Sequence, residues 1–150
     1  MPVSGQFPKH HIDTSVIIEP ENTEDGRFCK RYLQKLNYNY TGILSFPVLS
    51  EIFVILNSLE DFNERYDFIE PLLAMVKSRN IEFYAPKDIG NLLNSIKSTE
   101  KRIGFVDSEI VACAAEDKAD ALITLDRDLI NNKNLEKLLR IRILHPKDLL

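Results

Sequence analysis

Apolar positions along this chain follow two rhythms. Short, continuous or alternating apolar runs at residues 42–45, 81–85, 121–124 and 141–144 predict strands, that at 42–45 a buried one, and a further short strand is expected over 9–13. Longer stretches with apolar residues three and four apart predict helices over about 24–36, 46–59, 62–78, 87–101 and 106–118. A further apolar run, Val16-Ile17-Ile18, ends at Pro20, and an acidic, turn-like segment follows it from Glu21 to Gly26. The helix over 46–59 is apolar on almost every side, and Pro47 beside Ser45 supplies its start signal. The 106–118 helix is rich in alanine and small residues, which suits close packing on a sheet. Ala121-Leu122-Ile123-Thr124 reads as a strand of a parallel sheet covered on both faces. Strands alternating with longer helices mean βαβ units and a parallel α/β fold.

Composition narrows this picture. The chain has 150 residues, enough for one domain, and its 44% apolar content excludes intrinsic disorder. Residues 1–8 read as a loose leader and 9–150 as a single domain. A formal charge of −4 excludes a generally basic nucleic-acid glove; contact with RNA or DNA then needs a local patch or a bridging cation. No run approaches a membrane span, and the opening MPVSGQFPKHH has no signal-peptide core, so a cytoplasmic protein is expected. Cys29 and Cys113 are isolated thiols without metal-ligand spacing, which argues for a reducing interior. The three histidines form no catalytic set, and no nucleophile elbow appears.

The informative residues are carboxylates. Open parallel sheets bind ligands beyond the carboxyl ends of their strands. Asp13 closes the first predicted strand, Asp126 and Asp128 follow the strand ending at Thr124, Asp107 opens the alanine-rich helix, and Glu51 lies just over one turn into the helix after the second strand. Each has an ordinary alternative. Asp13 could cap a turn through Thr14 or Ser15; Asp107 is well placed as a helix N-cap, typically ~1 kcal/mol; Asp126 to Asp128 could be an Asp-rich turn. Glu51 is harder to dismiss, because a carboxylate among apolar neighbours needs a partner, a proton or a metal. Taken together, four acids from four segments converge on one end of one sheet, with no matching set of cations. Such a cluster raises its own pKa values unless a hard divalent cation, Mg²⁺ or Mn²⁺, offsets the charge. Metal-held water is a route to hydroxide near neutral pH.

These residues resemble the PIN-domain ribonucleases, particularly the VapC-type toxins of toxin–antitoxin pairs. HIDTSVII resembles the family's first strand and supplies Asp13; SFPVLSEI matches the Ser-to-Glu spacing of the second motif and supplies Glu51. GFVDSEIVACAAEDKADALITLDRDL resembles the longest motif and supplies Asp107, Thr124, Asp126 and Asp128, and HPKDLL resembles the usual close. The resemblance covers residues 9–150. It implies a three-layer α/β/α sandwich on a five-stranded parallel sheet, and a Mg²⁺- or Mn²⁺-dependent endonuclease acting on single-stranded RNA. On that pattern Asp13, Glu51, Asp107 and Asp126 are catalytic and hold the metal. Thr124 stands beside the ligands rather than among them, and Asp128 is either a fifth, peripheral acid or a turn residue. An antitoxin protein and a homodimeric state are further implications.

Lys97, Lys101, Arg102 and Arg127 lie near the acidic motif in sequence and are candidates for phosphate contacts, the alternative being a solvated surface. Tyr32, Tyr38 and Tyr40 could stack bases, although structural tyrosines are the commoner outcome. A receiver-type signalling domain fails on residues: Asp13 has no adjacent acid, and Ser45 stands where an Asp is needed. A housekeeping RNA-processing nuclease and a non-catalytic scaffold of the same fold remain as alternatives.

Overall fold

The computed structural model describes residues 7–150. Of the leader read over 1–8, the first six residues lie outside this range. Five strands form one parallel sheet: β1 Lys9–Ile12, β2 Thr41–Ser45, β3 Glu82–Tyr84, β4 Ala121–Ile123 and β5 Arg142–Leu144, in the order β3-β2-β1-β4-β5. The helices are α1 Thr14–Ile18, α2 Glu24–Leu33, α3 Phe46–Ser58, α4 Phe62–Ser78, α5 Gly90–Thr99, α6 Phe105–Glu116 and α7 Lys133–Leu139, followed by a 3-10 turn at Pro146–Leu149.

Successive residues of β1 show how the layers form. His10 meets Tyr32 of α2, 2.7 Å from Nδ1 to Oη, and stacks on Tyr40 with ring centroids 4.1 Å apart. His11, pointing to the opposite face, meets Asp117 at the end of α6 through Nε2, 2.8 Å. Helices therefore cover both faces, which is why β4 is buried along its whole length. Burial holds both imidazoles in the neutral form, with His10 lowered to about 4 and His11 lowered as well. Tyr32 is thus structural, while Tyr38 is exposed with the Arg79 guanidinium over its ring. Cys113 is buried in the alanine-rich helix, and Cys29 is buried on α2.

Several boundaries differ from the sequence pattern for physical reasons. β1 stops at Ile12, so Asp13 becomes the residue before α1, and the Val16-Ile17-Ile18 run is helical. Helix α2 ends at Leu33 rather than at 36, because Leu36 turns into the core and bridges to Tyr40. Gly26 lets α2 lie against the Pro20 turn: a Cβ there would sit 1.8 Å from the Pro20 carbonyl oxygen. Helix α5 begins at Gly90 rather than 87, since the Lys87 and Asp88 N–H groups donate to the Glu116 carboxylate instead (2.8 and 2.7 Å). Helix α7 is an element that the predicted set does not include, although Leu135, Leu138 and Leu139 stand three and four apart; the Asn132 side chain caps it by accepting from the Leu135 N–H, 3.2 Å. The core is centred on β1, β4, β5 and α6. By contrast α4 buries no residue completely, and Phe53, Val54, Phe62, Tyr66 and Leu73 of α3 and α4 are exposed.

Chain order explains where a site belongs. From β1 the chain moves outward through β2 and β3, then returns to the other side of β1 for β4 and β5. The reversal leaves a crevice beyond the carboxyl ends of β1 and β4, the place where open α/β sheets bind ligands.

Candidate metal centre

Four acids surround that crevice. Asp13 follows β1 and is 5% exposed, with its N–H donating to the Ile123 carbonyl of β4, 2.9 Å. Its Oδ2 accepts from the Ser15 hydroxyl at 2.7 Å and from the buried Thr124 hydroxyl at 2.8 Å. Thr124 Oγ1 in turn accepts from the Asp126 N–H at 3.0 Å, and Ser15 Oγ accepts from the Leu125 N–H at 3.1 Å. Two hydroxyls thereby fasten the end of β1 to the loop after β4. Glu51 reaches the same place from α3, its Oε1 accepting from the Thr14 hydroxyl at 2.6 Å. Asp126 is oriented by the Asp128 N–H, which donates to Oδ1 at 2.9 Å.

Asp107 enters from α6. It is not the N-cap of that helix: Gly104 holds that position, and Asp107 lies in the first turn. A helix N-terminus favours a charged carboxylate, yet Asp107 is pushed up to about 6. Burial is the largest cause, followed by repulsion from Asp13, Asp126 and Glu51. The first turn's partial charge is outweighed by burial together with three neighbouring acids. Among the described residues Asp107 is also the member of the quartet whose carboxylate no hydroxyl or backbone N–H steadies.

Asp13, Glu51, Asp107 and Asp126 line one cleft of ≈ 520 Å³, together with Thr14 and Ser15, and no Lys, Arg or His lines it. Among the described residues no three acid, His or Cys side chains are drawn together into a ready-made cage for an ion. The donor set is all-oxygen, anionic and spaced around open volume. That suits a hard cation such as Mg²⁺, which keeps several waters, better than zinc with its preference for nitrogen and sulfur.

The remaining candidates fall elsewhere. Asp128 does not line the cleft; its backbone orients Asp126. Lys97 Nζ donates to the Ile103 carbonyl at 2.6 Å and so closes the turn after α5. Lys101 and Arg102 are exposed on that turn. Arg127 lines a separate pocket on the other side of the β4 loop. The pattern of acids does not single out Thr14 as Glu51's partner, nor Ser15 as the link to Leu125. The signal available for both is the pair of hydroxyls directly after Asp13.

The PIN domain family model matches residues 11–135, and the chain belongs to that family. Similar solved structures include VapBC2 from Rickettsia felis bound to a DNA fragment from its promoter (TM-score 0.67, 18% identity, covering 91% of this chain and 98% of that one). FitAcB from Neisseria gonorrhoeae is similar at TM-score 0.65 and 19% identity, covering 92% of this chain and 98% of that one. VapBC-5 of Mycobacterium tuberculosis, a member of the VapBC family of toxin–antitoxin systems, gives TM-score 0.62 and 18% identity over 92% and 98% of the two chains. No curated protein matches the chain.

Proposed function

We propose that this chain is a divalent-cation-dependent endoribonuclease that cuts single-stranded RNA, acting as the toxin of a toxin–antitoxin pair. One observation carries the reading: four carboxylates from four segments line a single cleft at the sheet's switch point, with no cation among its walls. Membership of the PIN domain family and similarity to toxin–antitoxin structures support the same reading. Asp13, Glu51, Asp107 and Asp126 would hold Mg²⁺ or Mn²⁺. When bound, such an ion stabilises charge developing on a phosphoryl oxygen and makes water a better nucleophile.

The protein's own groups then have distinct tasks. Asp13, fixed by Ser15 and Thr124, is a rigid wall of the cleft, as is Glu51 behind Thr14. Asp107 is the carboxylate of the four that no hydroxyl or backbone N–H holds among the described residues, so it is the group free to accept the attacking water's proton at an Oδ atom. Water's oxygen attacks phosphorus as the P–O ester bond breaks, and the departing oxygen takes up a proton. Thr124 orients Asp13 and Asp126 rather than touching substrate.

The exposed apolar side chains of α3 and α4 support a protein partner, either an antitoxin or a second copy of the chain, because a surface of this kind is usually covered. No described helix is long and apolar enough to cross a membrane, and a cytoplasmic setting is part of the proposal. The test is a mixed panel of single-stranded RNAs incubated with Mn²⁺, with EDTA, and with EDTA followed by excess Mn²⁺. Cleavage that stops with EDTA and returns with Mn²⁺ is expected. Cutting that persists in EDTA would overturn the metal mechanism. A folded, Mn²⁺-binding protein that cuts no RNA would leave the scaffold alternative.

A further inference from the structure

The loop after β4 has two sides. Asp126 lines the acidic cleft, while its neighbours Leu125 and Arg127 line a second pocket of ≈ 240 Å³. Its other walls come from Asp25 of α2, Ile130 and Asn131 of the loop before α7, and the terminal segment His145 to Asp148. Leu125 and Ile130 give it an apolar floor, and Arg127 and Lys147 bring two cations to it.

Within the pocket the two acids and the two cations are not paired with each other. Asp25 Oδ1 lies 2.9 Å from His145 Nε2, and Asp148 Oδ2 accepts from the His145 N–H at 3.1 Å. His145 Nδ1 accepts from the Lys147 N–H at 3.0 Å, so the ring's proton sits on Nε2 and points at Asp25. His145 itself is 7% exposed, and Phe28 of α2 packs edge-on against it. A buried histidine thus ties α2 to the terminal turn and engages both acids of the pocket. Arg127 and Lys147 form no ion pair among the described residues.

We infer that this pocket is a subsite for the RNA strand, taking the backbone phosphate of a nucleotide that flanks the bond cut in the acidic cleft. The inference rests on the nuclease reading and adds where the strand runs: across the β4 loop, with the acids on one side and Arg127 and Lys147 on the other. It answers the problem posed by the net charge of −4, since no Lys, Arg or His among the described residues lines the acidic cleft to hold the strand beyond the metal. Arg127 and Lys147 are binding residues here, and His145 with Asp25 is a positioning pair.

Binding of a labelled single-stranded 12-nucleotide RNA is measured in Mn²⁺ at several salt concentrations, using Asp107→Asn as the uncut background. Arg127→Ala and Lys147→Ala are introduced into it singly, with Lys77→Ala on α4 as a surface control. Cleavage by each variant without Asp107→Asn, and its Mn²⁺-dependent thermal shift, are measured in parallel. Each pocket variant should bind at least roughly threefold more weakly, with the slope of log K against log salt smaller by about 0.7 per lost phosphate contact. The thermal shift should stay at the wild-type value, and Lys77→Ala should match its background. Unchanged affinity and slope in both pocket variants, while the wild-type chain still cuts RNA in Mn²⁺, would remove the subsite and leave the nuclease reading intact. Absence of both binding and cutting in the wild-type chain would overturn the nuclease reading and the subsite with it.

Discussion

Asp107 is the carboxylate of the cleft on which burial and its three acidic neighbours act most visibly. Its carboxyl is pushed up to about 6 in the metal-free protein because burial and three acids oppose its charge. A folded pKa above the unfolded value means that the stabilisation from protonation is complete below about pH 4 and lost as pH rises through 6. Asp107→Asn removes that cost, so in EDTA the variant should exceed the wild type in stability at pH 8 and match it near pH 4. Half exposure and solvent screening keep the gain to the order of 1 kcal/mol, or ~2–4 °C in Tm. A Tm difference that does not change with pH would contradict the origin given for the shift. Thr124→Val tests the support instead of the acid. It leaves the Asp126 N–H without its acceptor and removes a donor from Asp13, a loss of ~1–3 kcal/mol. Thermal unfolding should register that loss, with cleavage falling as well; unchanged Tm and activity would show that the hydroxyl orients nothing.

At the scale of elements, the same acids serve as junctions between segments, and Glu116 is a second kind of junction away from the cleft. Standing at the end of α6, it accepts from the Tyr84 hydroxyl at 2.6 Å and from the Lys87 and Asp88 N–H groups, joining β3 to the approach of α5. These bonds hold its carboxyl below the usual range, so the link is complete at neutral pH and is lost as pH falls through that lowered value. Glu116→Ala should speed hydrogen exchange at Lys87 and Asp88 while leaving β1 and β4 protected; equal exchange in both proteins would count against the link. This junction also shows what was legible beforehand. Apolar runs identify β2, β4 and β5, which lie buried in the sheet, whereas β1 is Lys-His-His-Ile and β3 only alternates on an exposed edge; acids after two strands and in two of the helices identify the quartet because no matching set of Lys or Arg accompanies them. Boundaries such as Gly90 depend on bonds between residues distant in sequence, which leave no apolar period, and α7, at seven residues, is so short that Leu135, Leu138 and Leu139 make up its whole apolar signal. The exposed aromatics of α4 show the reverse failure, for a helical period reports a face without saying whether this chain covers it.

For the whole molecule, the buried histidines set an acid limit. His10 is lowered to about 4 and His11 is lowered too, so the stability of their neutral forms is present above about pH 6.5 and lost as pH falls toward 4. Asp107 changes in the opposite sense over an overlapping range, which softens the decline. The Asp107→Asn variant should therefore lose stability more steeply between pH 6.5 and 4 than the wild type does; parallel curves would contradict that balance. The proposed function rests at this scale on the fold's switch point, where four segments bring four acids to one cleft and the β4 loop divides it from the pocket that Arg127 and Lys147 line. The most direct measurement is cleavage of single-stranded RNA in Mn²⁺ by the wild-type chain beside Asp107→Asn purified identically. The account predicts cutting by the wild type and none by a variant that remains folded. Equal cutting by both would contradict a carboxylate-held metal centre at this site.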